Sequence, residues 1–107
     1  MLVFTRHARA KMGFYKLSES RVRHVLHAPK RIEEGVAPRT VAMMYPAKSH
    51  EIWIMFQEKP GERVIISAWR YPGVTKPRSQ VTLRMARQAY REFLDGHEDQ
   101  IKLNKTK

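Results

Sequence analysis

Apolar residues recur along the chain with more than one spacing, and each spacing predicts a different element. Residues 2–5 form a short apolar run that reads as a first strand. Thr5 is placed to cap the helical stretch RHARAKM, which Gly13 is expected to stop. In KLSESRVRHVLHAP, Ser18 or Ser20 is the candidate cap. Val22, Val25 and Leu26 share one helical face there, and Pro29 ends the segment. The two stretches predict a pair of short helices hinged around Gly13.

From residue 30 the period changes to that of strands. KRIEE (30–34) reads as an additional short strand broken by Gly35, and RTVAMMY (39–45) as a strand closed by Pro46. HEIWIMFQE (50–58) is the strongest strand pattern in the chain. Lys59, Pro60 and Gly61 make a turn, and RVIISAWRY (63–71) is the next strand, closed by Pro72-Gly73. Short turns imply an antiparallel meander of three to four strands. Ile52, Ile54 and Phe56 take one face of the strongest strand, Trp53 and Met55 the other. Both faces are apolar, so both are expected to be covered, one by helices and one by a partner or the terminal segment.

A helical period returns after Ser79, the candidate cap. Leu83, Ala86, Tyr90, Phe93 and Leu94 form its apolar stripe, and Gly96 is expected to end it. The expected fold class is therefore α+β, with two short N-terminal helices, an antiparallel three- to four-stranded sheet and a C-terminal helix. A single domain is expected over 1–96. Residues 97–107 lose the pattern and are expected to form a flexible basic tail.

Charge changes the picture most. Among 107 residues, 21 Lys and Arg face 10 Asp and Glu, a net charge of +11. The excess lies in the outer, helical thirds. Such a surface attracts polyanions, of which nucleic acid is the commonest. Cysteine is absent, which excludes disulfides, thiolate zinc sites and a Cys nucleophile. With no signal-peptide pattern at residues 1–12 and no apolar run near 18 residues, a cytoplasmic location with no membrane association is expected. No phosphate-binding glycine loop, dinucleotide fingerprint or serine-hydrolase elbow is present.

Candidate chemistry centres on His7 and Lys11, neighbours at i and i+4 on the first helix. An ammonium beside an imidazole lowers its pKa, so a neutral His7 is available as a base while Lys11 stabilises an oxyanion. The competing reading is a pair of solvated helix residues. Arg39, Arg70 and Tyr71 are further candidate catalytic residues, two guanidinium forks for phosphate and a ring to stack or donate. Packing of Arg70 near Trp69 is the alternative. Arg84, Arg87 and Arg91 fall within about 60° of one another at about 100° per residue. They are the candidate nucleic-acid-binding ridge, set against a solvated face partly neutralised by Glu92 and Asp95. His24 and His27 lack a nearby third ligand, so no metal is expected, and no cofactor either.

The N-terminal half carries a resemblance. His7-Ala8, Lys11-Met12, Ser18, Val22, Val25-Leu26, Pro29 and Ile32-Glu33-Glu34, followed by three strands, resemble a family of short bacterial and phage domains of unknown function. The resemblance covers roughly residues 3–73, with Lys11 where Arg is more usual. Such domains are similar in architecture to RelE/ParE-type toxins and to barnase- and colicin-like metal-independent ribonucleases. The resemblance implies a RelE-like fold with helices packed on one side of an antiparallel sheet, and RNA as substrate by analogy.

The expectation is a small basic toxin-like protein directed at RNA, free or ribosome-associated, acting as a metal-independent endoribonuclease. Its alternatives are a non-catalytic nucleic-acid-binding module and an interaction protein paired with an acidic, antitoxin-like partner. A homodimer is left open.

Overall fold

The computed structural model of the chain describes residues 1–34 and 36–105, with side chains described as far as residue 96. Its elements follow in the order β1 (Leu2–Phe4), α1 (Arg6–Tyr15), α2 (Glu19–His27), β2 (Arg31–Glu34), β3 (Thr40–Pro46), β4 (Glu51–Lys59), β5 (Glu62–Tyr71) and α3 (Gln80–Lys105). The class is α+β, as the pattern predicted.

The sheet differs from expectation. It has five strands in the order β1-β5-β4-β3-β2 and is mixed. From β2 to β5 the neighbours are antiparallel, but β1 runs parallel to β5, with Leu2 opposite Arg63 and Phe4 opposite Ile65. A three-residue run followed by a helix carries no hairpin signal, so its partner and direction are set by tertiary packing. Pro60 and Gly61 join β4 to β5, with Gly61 at φ 76°, a conformation that favours glycine.

The helix boundaries follow their caps. The Thr5 hydroxyl accepts from Ala8 N–H at 3.0 Å and donates to the Ile65 carbonyl at 2.8 Å, fixing the start of α1 to the sheet. α1 does not stop at Gly13. It runs on to Tyr15 and closes on Lys16 in the left-handed region, where Leu17 N–H bonds to the Met12 carbonyl at 2.8 Å. Ser18, not Ser20, caps α2, and Ser79 caps α3 through Thr82 N–H at 3.2 Å. α3 continues past Gly96 to Lys105. A helix interior tolerates one glycine for about 1 kcal/mol. The expected tail over 97–107 thus falls on residues whose side chains lie outside the described ones.

Two cores sandwich the sheet. On one face Ala8, Met12, Val22 and Val25 of α1 and α2 pack on Ile52, Ile54, Phe56 and Ile65. On the other, Ala86, Ala89 and Phe93 of α3 pack on Trp53, Met55, Ile66 and Trp69. The second apolar face is therefore covered by α3, the terminal element, which is one of the two coverings the pattern left open; the resemblance had implied helices on one side only. The buried stripe of α3 centres on Thr82, Ala86, Ala89 and Phe93, while Leu83 and Tyr90 lie at its borders.

A buried polar network pins the start of α3. Arg31 donates to the Thr75 carbonyl at 2.7 Å, to Thr75 Oγ1 at 2.9 Å, to Thr82 Oγ1 at 3.3 Å and to Glu33 at 3.2 Å. Its guanidinium also pairs with Glu51 at 3.7 Å and lies over the Trp53 ring. Glu51 accepts from Trp53 Nε1 and from both the N–H and the hydroxyl of Thr75. Among the described residues, no helix is long and apolar enough to cross a membrane.

Candidate functional site

β1 covers the outer edge of β5 only as far as Ile65. Beyond it, α1 and α3 close over the open edge from opposite faces of the sheet. An irregularity in the β4–β5 register helps shape this corner. Met55 pairs with Ser67 and Phe56 with Ile65, leaving Ile66 as the extra residue. Ile66 and Ser67 consequently both stand on the α3 side.

Where the helices meet, Lys11 Nζ lies 3.1 Å from Glu92 and His7 Nε2 lies 4.0 Å from it. Gln88 Nε2 donates to the other Glu92 oxygen at 3.4 Å. His7 Nε2 is buried and has no hydrogen-bond partner among the described residues. Burial first and the Lys11 charge second hold His7 below the ordinary histidine value of 6.5, while Glu92 pulls the other way. Burial raises the Glu92 carboxyl, but the hydrogen bonds from Lys11 and Gln88 and the Lys11 charge outweigh it, leaving it below 4.5. His7 is thus a neutral imidazole near neutral pH, held beside an ion pair.

A cleft of about 180 Å³ opens here, between Lys11 and Tyr15 of α1, Ser67–Arg70 of β5 and Met85, Gln88 and Glu92 of α3. On the far side of Gln88 and Glu92, Leu83 and the exposed Arg84, Arg87 and Arg91 line a groove of about 620 Å³. Gln88 and Glu92 border both. The arginine ridge therefore leads to the His7–Lys11–Glu92 cluster.

The other sequence-predicted residues do not gather at that cluster as one constellation. Arg70 reaches the cleft, but its guanidinium donates to the Tyr15 carbonyl at 2.8 Å, to the Lys16 carbonyl at 3.3 Å and to His50 Nε2 at 2.5 Å. It binds the C-terminal carbonyls of α1, so the fork read as a phosphate ligand is occupied by the protein. Tyr71 follows it on the strand and faces the opposite side, packed with the α3 core. Arg39 sits in a left-handed turn before β3, level with the start of β5. That is about 20 Å from Arg70 at about 3.3 Å per residue. His24 stacks edge-on to Tyr45, centroids 4.8 Å apart. His97 lies where side chains are outside the described residues.

Sequence reasoning missed Glu92 as a partner of Lys11, read Trp69 only as a packing neighbour of Arg70, and missed Gln88 and Ser67 altogether. The only local signal was Glu92 as the acid within an arginine-rich helix, and nothing in the pattern links it to positions 7 and 11. Comparison with protein-family models, curated proteins and solved structures returned no match.

Proposed function

We propose that the chain is a small RNA-directed protein of the toxin type, with a RelE-like fold, acting as a metal-independent endoribonuclease. The observation that carries this reading is the continuity of the arginine groove with the His7 cluster. A polyanion on Arg84, Arg87 and Arg91 passes beside Glu92, whose carboxylate lies 4.0 Å from the His7 imidazole that is held neutral. In this scheme His7 takes the proton from a 2′-hydroxyl, which attacks the adjacent phosphorus while Lys11 stabilises the phosphorane oxygens; the P–O5′ bond then breaks to leave a 2′,3′-cyclic phosphate, and the departing 5′-oxygen takes a proton from water. The N-terminal pattern around His7-Ala8 and Lys11-Met12 supports the same reading.

A second reading, a non-catalytic nucleic-acid-binding module, is favoured by one observation. Both cations at the cleft already have protein partners, Lys11 in Glu92 and Arg70 in backbone carbonyls. The interaction-protein reading loses its apolar argument, because α3 covers the second sheet face.

End-labelled single-stranded RNA, incubated with the chain in EDTA beside an all-deoxy strand, separates the first two. Cleavage of RNA alone, abolished by His7→Ala with the thermal melt within a few degrees of wild type, supports the ribonuclease. Cleavage retained in His7→Ala overturns the assignment of His7. A gel shift without product selects the binding module.

A further inference from the structure

We propose that the cleft between α1, β5 and α3 is a nucleobase subsite, taking one unpaired base of a single-stranded RNA whose backbone lies on the arginine groove. It deepens the RNA-directed reading and rests on it.

Size points to a single ring system. The cleft holds about 180 Å³, whereas pockets that enclose a whole drug-sized ligand run to roughly 300–1,000 Å³. Charge disfavours phosphate inside the cleft. Arg70 is held there by backbone carbonyls, and the Glu92 carboxylate stands beside Lys11 at the rim, where the scissile phosphate of the proposed reaction lies outside the subsite. A neutral, planar, polar group fits this wall where an anion does not.

Hydrogen bonding narrows the class further. Trp69 is 8% exposed, and its Nε1 is buried with no partner among the described residues. Trp53, stacked on it, gives its own Nε1–H to Glu51 at 3.1 Å. An N–H buried without an acceptor costs about 1–3 kcal/mol, which a ligand acceptor relieves. Ser67 adds a hydroxyl to the same wall, and Gln88, whose amide N–H goes to Glu92, keeps a carbonyl oxygen as acceptor. Met85, Ala89 and Tyr15 supply apolar surface. A base edge, with acceptors and donors side by side on a flat ring, matches that set. Phe14, 76% exposed and edge-on to Tyr15, offers a neighbouring base a stacking face.

The test is a titration of the ¹⁵N-labelled full chain with an eight-nucleotide 2′-O-methyl RNA, which the proposed chemistry cannot cut, and with an abasic strand of the same length. The expected result is that both strands move the α3 amides. Only the base-bearing strand moves the Trp69 indole N–H, with Trp53 as the unmoved control, and it binds about tenfold more tightly. Trp69→Phe assigns the signal, and Trp69→Phe or Ser67→Ala reduces that preference without changing the salt dependence. If the α3 amides move but the Trp69 indole stays still, or moves equally with the abasic strand, the subsite is overturned and the RNA reading stands. If neither strand moves any signal, both fall.

Discussion

Replacing Arg31 with Met should be the most damaging single change away from the two apolar cores. The guanidinium serves four oxygens at 2.7–3.3 Å, from Thr75, Thr82 and Glu33, and pairs with Glu51 at 3.7 Å. Glu51 is 3% exposed and Glu33 5%. Taking the cation away leaves two buried carboxylates without their counter-charge, a loss of about 3–5 kcal/mol. Against a total stability of about 5–15 kcal/mol for a domain, that is about a fifth or more of the whole. The melt should fall by at least about 12 °C, at roughly 4 °C or more per kcal/mol. Lys11→Met is the matched control. Its ion pair is shorter, 3.1 Å, but its partners are 28% and 37% exposed, so the change should stay within about 1 kcal/mol. Arg31→Lys keeps the charge, cannot reach all the oxygens at once, and should fall between. Urea unfolding of the full chain measures each value. A loss below about 1 kcal/mol for Arg31→Met, at unchanged m-value, would refute the reasoning, because the carboxylates would then be solvated without the guanidinium.

Gly13→Ala should stabilise the chain by up to about 1 kcal/mol in the same assay, since Gly13 lies inside α1 with no atom within 4 Å of an added Cβ. Replacing Arg84, Arg87 and Arg91 together by Gln should flatten the slope of log K against log salt for single-stranded RNA. The slope should fall by about 0.7 for each phosphate that is no longer neutralised, and an unchanged slope removes the groove from the interface. Acidification should expose His7. Its folded pKa lies below the ordinary 6.5, so the unfolded state takes up the proton first and stability falls as pH drops from 6.5 through the lower folded value. His7→Gln should lack that part of the pH dependence of the melt, and identical profiles for the two proteins would contradict a buried neutral imidazole.

What the sequence by itself determined was local. Period and caps specified α2 between Ser18 and Pro29, the strands β3 to β5, and the common arc of Arg84, Arg87 and Arg91, because each depends on residues within a few positions of one another. His7 beside Lys11 was legible for the same reason. Tertiary structure alone decided the rest. The parallel pairing of β1 with β5 joins Leu2 to Arg63, and three residues hold no record of a partner sixty positions away. Glu92 reaches Lys11 only because α3 crosses the sheet face opposite to α1 and meets it at the open edge of β5. Arg39, Arg70 and Tyr71 looked like one constellation because residues at strand ends are easily imagined together. Strand length separates the first, the alternation of side chains turns the third away, and the carbonyls of α1 occupy the second. The cleft exists because a three-residue strand stops short and an extra residue at Ile66 holds Ser67 on the α3 side, both products of packing among distant segments.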